Sequence, residues 1–380
     1  MFKQVFLMKQ THILFSLLLF FGSCINQKEA GNLEGTILSI NTDDKSIITD
    51  SPALTNIRFV KLETKDECLL EDVNKVIPFE DKLYILSSLG NGNVYIFDNK
   101  GKFIRKLNKG EGPENIIYPT DISLNANKRS LFVLDFYLYI KEYDLEGNFL
   151  RKISMQEPFF ALEAIGNDFL LFDSGSRSKA DYYVRYLTET SENKDFFQKP
   201  VKSKFFASSN FFTPISDDKV LVSCLFSDTI FLATSTEKEL FPYIILDFQD
   251  KGANTPQRLN EISNVGEYLK KAKQQKYIPG PSDLSIINDN LFFTLNGEKF
   301  YFARYDTKKD KITLHTKLME GLPNIYKSTG RTGKEVIYAM DMPWLIEYLN
   351  ENQEIKSDVI NQLRTECKDE NDNPVLFFGS

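Results

Sequence analysis

The chain has 380 residues, 42% of them hydrophobic, and a formal net charge of −7. That length and apolar content suffice for a large buried core, and closed all-β folds often exceed the usual domain size. The acidic balance argues against a nucleic-acid partner, which would need a basic face. The only histidines, His12 and His315, disfavour mechanisms and zinc sites that need several histidines.

The N-terminus has the form of a secretory signal. Lys3 and Lys9 precede the apolar run Ile13–Phe21, which is interrupted only by Ser16. A basic start, a short apolar stretch and small residues before a cleavage site are typical of a signal peptide. The run is too short to span a bilayer, which needs about 20 residues. We therefore assign residues 1–23 to a signal peptide.

Cys24 directly follows Gly22 and Ser23, and this arrangement resembles a bacterial lipobox. The resemblance implies thioether lipidation of Cys24 and cleavage before it. Each buried methylene contributes about 0.8 kcal/mol, so several acyl chains hold a protein firmly on a membrane. An ordinary secreted protein is the alternative. The other cysteines are odd in number and widely spaced, which does not indicate a disulfide framework. Cys224 lies in an apolar strand pattern and is predicted to be a core residue.

Residues 24–56 are predicted to hold the lipidated cysteine and a tether, because they are rich in polar residues. Thr36–Ile40 is a candidate short strand within this segment. Residues 57–380 are assigned to the folded domain.

A repeat marks the first part of that domain. Val94–Leu107 and Ile140–Ile153 share the pattern Asp-x-x-Gly-x-Phe-x-Arg-Lys, so that Asp98 corresponds to Asp144. Each copy predicts two strands joined by a tight turn, with glycine where a positive φ is needed. A period of about 46 residues built from β-hairpins is typical of a propeller blade. Weaker strand pairs follow at Phe169–Asp173 and Tyr182–Leu187, Lys219–Cys224 and Thr229–Leu232, Leu291–Thr294 and Phe300–Asp306, and Asn324–Tyr326 and Glu335–Met340.

The predicted fold is all-β, a six-bladed β-propeller with short helical insertions. The last blade lacks strands, and Ile57–Leu62 and Val375–Phe378 are the segments that complete it. Pairing both chain ends in one blade closes the ring and removes open edges. Leu259–Tyr277 and Pro343–Cys367 show helical spacing of apolar residues. Their apolar stripes are predicted to cover the propeller, and a partner-binding helix is the alternative.

Two segments carry a family resemblance. Gly110–Glu114 followed by Tyr118–Ile122 resembles the linker of NHL-like propellers, although Glu114 comes one position earlier than in that pattern. With Ile57–Thr64 and Asn373–Leu376, the chain resembles the six-bladed β-propeller lipoproteins of Bacteroidetes over about residues 57–378. The resemblance implies a lipid-anchored envelope protein, in the periplasm or on the outer membrane. Most members have no assigned function.

Several conspicuous residues have structural interpretations. Gly110–Glu114 lacks the lysine of a phosphate loop and is predicted to connect one blade to the next. Asp98 and Asp144 recur at hairpin turns, where aspartate side chains accept hydrogen bonds from nearby backbone amides. His315 lies in an alternating strand pattern and is predicted to face solvent.

Ligands of propellers generally bind at the channel mouth, on loops that join strands. By position, the candidate ligand-binding residues are Asn91 with Asn93, Tyr137, Arg177 and Asp228. Solvated loop residues without a ligand are the alternative for each of them. No spacing defines a metal site or a catalytic set.

The sequence therefore predicts an envelope-anchored propeller that binds an unknown protein or glycan, without a cofactor. A metal-dependent hydrolase of lactonase or esterase type, with calcium in the channel, is the alternative.

Overall fold

A computed structural model describes residues 35–90, 92–173, 181–198, 211–224, 227–260 and 265–380. The predicted signal peptide and Cys24 lie outside the described residues. The first strands in chain order are β1 (Thr36–Ser39), β2 (Ile48–Leu54), β3 (Arg58–Lys61), β4 (Lys75–Phe79), β5 (Lys82–Ser87), β6 (Asn93–Asp98), β7 (Phe103–Lys106), β8 (Pro119–Asn125) and β9 (Ser130–Asp135). The next are β10 (Tyr139–Asp144), β11 (Phe149–Ser154), β12 (Ala161–Ile165), β13 (Asp168–Phe172), β14 (Tyr182–Leu187), β15 (Asn193–Gln198), β16 (Phe212–Ser216), β17 (Lys219–Ser223) and β18 (Thr229–Thr234). The last are β19 (Leu240–Asp247), β20 (Pro281–Ile287), β21 (Asn290–Asn296), β22 (Phe300–Asp306), β23 (Lys311–Met319), β24 (Gly330–Arg331), β25 (Val336–Met340) and β26 (Val375–Gly379).

The fold is all-β, with four short α-helices in the described part of the chain: α1 (Pro256–Asn260), α2 (Val265–Gln275), α3 (Met342–Glu351) and α4 (Asp358–Glu366). Runs of four consecutive strands form antiparallel meanders: β4–β7, β8–β11, β12–β15, β16–β19 and β20–β23. The strands β24, β25, β26 and β3 form a further group of four, which joins β4 through the parallel pair Gly330–Val76. We call β4, β8, β12, β16, β20 and β24 the first strands of these groups.

The core lies between neighbouring meanders. Tyr84 and Ile96 of the first meander, for example, pack with Ile122, Val133 and Tyr143 of the second in one buried cluster. Further buried clusters join the other neighbouring groups in the same way, so both faces of these sheets are covered by apolar side chains.

The two hairpin turns of the repeat have the predicted geometry. Asp98 Oδ1 accepts hydrogen bonds from the backbone N–H groups of Lys100 and Lys102 at 2.9 and 2.8 Å. Asp144 makes the same two bonds in the second copy, to Glu146 and Asn148. The prediction that these aspartates cap turns is confirmed.

The chain ends pair in one sheet. Strand β26 lies between β25 and β3, with Val375 opposite Lys61 and Phe378 opposite Arg58. The Arg58 guanidinium forms an ion pair with Glu335 at 2.8 Å and lies 3.7 Å from the centre of the Phe378 ring. The two terminal segments expected to pair therefore do so.

The folded region begins before residue 57, which differs from the expected tether over residues 24–56. Strand β1 pairs in parallel with β19, and β2 pairs in parallel with β23, so each adds a fifth strand to a meander. Ala53 and Leu54 of β2 are almost fully buried. The polar residues between these short strands gave the segment the composition of a tether.

The pairing of β2 with β23 also corrects the expectation that His315 faces solvent. Because β2 covers β23, His315 is buried, at 7% exposure, instead of facing solvent. Its Nδ1 lies 3.0 Å from the Ser51 carbonyl oxygen, and its Nε2 has no hydrogen-bond partner among the described residues. Burial lowers the pKa of this imidazole.

The segment Asn324–Tyr326, predicted as a strand, is not one. The Asn324 side chain instead accepts from the Leu318 N–H at 2.9 Å and donates to the Thr316 carbonyl at 3.1 Å. These bonds hold the segment against the end of β23, and the strand of the last group is β24, nearer to β25.

The helices cover the sheets with their apolar stripes, as expected. Met342 and Leu345 of α3 pack with Ile360 and Leu363 of α4 in the cluster that contains Phe377 of β26. Tyr268 of α2 packs in the cluster that contains Cys224, which is buried as predicted.

Candidate functional site

One cavity of about 580 Å³ is lined by residues from every first strand. We call it the first-strand cavity. One lining residue from each of the six strands is Val76 of β4, Leu124 of β8, Glu163 of β12, Pro214 of β16, Ile286 of β20 and Arg331 of β24. Polar side chains gather where β4 begins, and the hairpin Asn288–Asp289 lies where β20 ends.

A polar network joins β4, β8 and β12 beside the cavity. Lys75 Nζ lies 3.1 Å from the Asp121 carboxylate and 3.6 Å from that of Glu163. The Asp121 carboxylate also accepts from the Leu162 N–H at 2.8 Å, and Ser123 Oγ donates to Glu163 at 2.5 Å. The charged groups of this network are therefore held in fixed positions by neighbouring strands.

Burial acts on the charges of this network in two ways. Burial raises the pKa of the Glu163 carboxyl, and attraction to Lys75 only partly opposes this. Burial by itself would lower the pKa of Lys75, but attraction to Asp121 and Glu163 is larger, so the pKa of Lys75 is raised. Lys75 therefore carries its charge as the partner of two carboxylates.

Asp283 forms a second fixed polar contact, between β20 and the segment before β24. Its carboxylate accepts from the Ser328 N–H at 2.9 Å and from Ser328 Oγ at 2.7 Å. Burial raises the pKa of the Asp283 carboxyl, and the Ser328 hydrogen bonds oppose the increase.

Arg331 is the cation of the cavity wall without a close partner. Its side chain is half-buried and lines the cavity. No residue in the described part of the chain makes a hydrogen bond or an ion pair with its guanidinium. Burial lowers the pKa of Arg331, and attraction to Glu163 and Asp283 at longer range opposes this shift.

The remaining wall is largely apolar. Pro78 and Phe79 of β4 and Phe212 and Ile215 of β16 contribute side chains to it. An apolar cavity with a few fixed polar groups is the usual form of a small-molecule site.

The candidate residues that the structure describes, Asn93, Tyr137 and Asp228, do not line this cavity. Tyr137 lies between β9 and β10, with its ring centre 6.1 Å from that of Tyr118 and 4.9 Å from that of Phe160. Asn93 is buried and donates its side-chain amide to the Leu107 carbonyl at 3.2 Å. Asn91 and Arg177 lie outside the described residues.

Asp228, the remaining candidate, lies between β17 and β18. Its carboxylate accepts from the Asn254 amide at 2.5 Å, and Tyr268 donates to the same amide group at 2.6 Å. Burial raises the pKa of Asp228 to about 6. The structure thus places Tyr137 and Asp228 in separate sets of contacts, and their role in ligand binding stays a prediction.

The residues of the first-strand cavity were not found from the sequence. One signal was present: Glu163 is a charged residue between the apolar residues Leu162 and Ala164 of a short strand, where only a fixed partner makes burial tolerable. Arg331 has no such signal, because it lies in a polar stretch between two glycines that reads as a loop.

Within the described ranges, no group of three or more His, Cys, Asp or Glu side chains is arranged to hold a metal ion. None of the helices described there is long and apolar enough to span a bilayer.

Comparison with known proteins gives the family. Residues 36–380 match the model of the family described as domain of unknown function DUF4934, and the chain belongs to that family. No curated protein matches the sequence.

Solved structures with a similar fold include a putative exported protein from Bacteroides fragilis. It is 22% identical, with a TM-score of 0.74, and the match covers 91% of this chain and 99% of that one. Weaker similarity extends to propeller-like structures. A streptogramin B lyase has 11% identity, a TM-score of 0.43 and coverage of 85% and 97%. The β-propeller domain of Cps50 (Swd1) from Myceliophteria thermophila has 14% identity, a TM-score of 0.36 and coverage of 64% and 70%.

Proposed function

We propose that this protein is an exported, lipid-anchored binding module, a six-bladed β-propeller that holds its ligand in the first-strand cavity. The observation that carries the proposal is that a single cavity is lined by the first strand of every four-strand group. A ring of blades brings its first strands together around a common axis, where ligand cavities form.

Contacts between successive groups support a closed ring. Each first strand, or a residue beside it in the chain, contacts the first strand of the following group, or a residue beside that strand, through a hydrogen bond or a β-bridge. The contacts in ring order are Lys75–Asp121, Asp121–Leu162, Gly166–Asp217, Thr213–Leu284, Asp283–Ser328 and Gly330–Val76. In this arrangement β3 and β26 complete the last blade, which removes an exposed sheet edge.

The proposed cellular location of the protein depends on signals in its sequence. The signal peptide over residues 1–23 and the lipobox-like Gly22-Ser23-Cys24 support export and lipidation at Cys24. The NHL-like linker at Gly110–Glu114 supports membership of the propeller lipoproteins of Bacteroidetes. We therefore assign the protein to the cell envelope, facing the periplasm or displayed on the outer membrane.

A tryptophan plug tests whether the first-strand cavity is the binding site. Gly333 lines the cavity, and a Cβ placed on it meets no atom within 4 Å, so Gly333→Trp adds an indole to open space. Thr236→Trp, at an exposed turn that does not line the cavity, is the matched control. A library of fluorinated fragments is screened by ligand-observed NMR.

We expect fragments that bind the wild type and Thr236→Trp but not Gly333→Trp. If every binding fragment is retained by Gly333→Trp, the cavity is not the site. The same samples test the alternative function. Calcium-dependent hydrolysis of 4-nitrophenyl acetate or γ-butyrolactone, lost with a chelator, would favour a metal-dependent hydrolase over a binding module.

A further inference from the structure

Arg331 gives the first-strand cavity a preference for one chemical class. Among the described residues, the cavity wall contains two cations, Lys75 and Arg331. Lys75 has two carboxylate partners, at 3.1 and 3.6 Å. The guanidinium of Arg331 has no hydrogen bond or ion pair to any residue in the described part of the chain. The two cations therefore differ: one belongs to the structure, and the other is available to a ligand.

The carboxylates near Arg331 are held by other groups. Glu163 accepts from Ser123 Oγ and faces Lys75, and Asp283 accepts two hydrogen bonds from Ser328. Moving either carboxylate onto Arg331 would break these contacts. A half-buried charge without a partner loses part of its hydration, and nothing in the described part of the chain replaces that part. A bound ligand can therefore supply the partner that Arg331 lacks within the described part of the chain.

The rest of the cavity wall indicates the chemistry of the remaining, uncharged part of the ligand. Pro78, Phe79, Phe212 and Ile215 present apolar surface to the same cavity. A volume of about 580 Å³ is within the range of sites for small molecules. The ligand therefore combines an anionic head with an apolar body.

The number of negative charges on the head is also restricted. Glu163 and Asp283 both attract Arg331, so both lie near enough to repel an anion bound to it. A second negative charge on the ligand would meet the same carboxylates, and the other cation of the described wall, Lys75, is already paired, which disfavours phosphate monoesters and dicarboxylates. A planar carboxylate also matches the two parallel N–H groups of a guanidinium.

We propose that the first-strand cavity binds a small organic acid, whose single carboxylate pairs with Arg331 and whose aliphatic or aromatic body lies against Pro78, Phe79, Phe212 and Ile215. This inference rests on the proposed function and adds the ligand class to it.

Titration calorimetry on the intact folded domain tests the inference. The probes are octanoate and phenylacetate, with octanamide and phenylacetamide as neutral isosteres and inorganic phosphate as the oxyanion without an apolar body. We expect each carboxylate to bind the wild type at least about tenfold more tightly than its amide, since hydrogen bonds to charged groups are about twice as strong as neutral ones. Phosphate should bind more weakly than either carboxylate. This comparison needs no variant.

Variants then assign the preference to one side chain. Arg331→Met removes the charge and keeps most of the apolar stem, and should abolish the preference for carboxylates over their amides. Lys334→Met, at an exposed neighbour outside the cavity, is the matched control and should bind like the wild type. A thermal melt of each variant verifies folding.

The outcomes separate this inference from the proposed function. If Gly333→Trp blocks fragments but carboxylates bind no better than amides, the ligand class is wrong and the cavity is still the site. If the preference survives in Arg331→Met, Arg331 is not the recognising group. If neither carboxylate binds the wild type, the inference is overturned. If Gly333→Trp also leaves fragment binding intact, the proposed function fails with it.

Discussion

The side chain of Asn373 accepts a hydrogen bond from the backbone N–H of Leu70 at 2.8 Å, although the two residues are 303 positions apart. Its amide group donates to the Glu63 and Cys68 carbonyls at 2.7 and 2.9 Å, and the residue is 1% exposed. One buried amide thus fastens the segment before β26 to the segment after β3.

Asn373→Ala should lower the free energy of unfolding by about 3 kcal/mol, because it leaves several buried backbone groups without partners. Urea denaturation measures the change. Asn371→Ala, two positions away and exposed, should stay within about 0.5 kcal/mol of the wild type. Equal effects from the two variants would show that the buried amide is not the fastening group.

Deletion of residues 375–380 should destabilise the whole fold, because it removes the strand between β25 and β3. The deletion also exposes the strand edges of both neighbours. Circular dichroism melts of the truncated and intact proteins provide the comparison. A truncated protein that melts like the intact one would show that the fold does not depend on this pairing.

Stability should fall as the pH drops below about 6.5, in part because of His315. Burial holds the folded-state pKa of His315 below its unfolded value, so the unfolded chain binds the proton more readily. His315→Gln removes this titration and should flatten the slope of unfolding free energy against pH between about 7 and 5. Urea denaturation at several pH values gives the slope. Parallel slopes for wild type and variant would contradict the prediction.

Asp228 should have the opposite effect at higher pH. Its folded-state pKa is raised to about 6, so the folded protein binds the proton more readily and loses stability as the pH rises from about 4 to 7. Asp228→Asn keeps an acceptor for Asn254 and should be more stable than the wild type at pH 7, by about 1–2 kcal/mol after allowance for partial exposure. Asp250→Asn, at an exposed position, is the control. An advantage that does not grow with pH would rule out burial of the Asp228 charge as its cause.

Cys24→Ala should release the protein from membranes, because it removes the sulfur that would carry the lipid. Membrane fractions probed for the protein measure the effect. Ser23→Ala, which keeps a small residue before the cysteine, should leave the protein in the membrane fraction. Retention of Cys24→Ala on the membrane would exclude lipidation as the anchor.

The sequence predicted those parts of the fold that have local signals. The turns at Asp98 and Asp144 depend on residues two to four positions away, and the strand at β26 is a continuous apolar run. The pairing of β1 with β19 and of β2 with β23 has no such signal, because the partners are about two hundred residues or more apart and β1 and β2 are short and rich in polar residues.

The first-strand cavity could not be predicted for a related reason. Its residues come from six strands and the loops beside them, and every strand except β4 contributes only one to three of them. Glu163 and Lys75 are recognisable as a pair only when β4 and β12 are known to flank β8. The sequence interpretation instead chose loop residues such as Tyr137 and Asp228, which the structure places in other contacts.

The pairing of β3 with β26 also constrains the order of folding. Strand β3 is made long before its partner β26, so a growing chain carries an unpaired β3 until β26 has been made. Long-range pairing of this kind slows folding, and the unpaired edge of β3 is prone to aggregate. The sheet that contains β3 and β26 is therefore completed late in synthesis, after most of the other four-strand groups have been made.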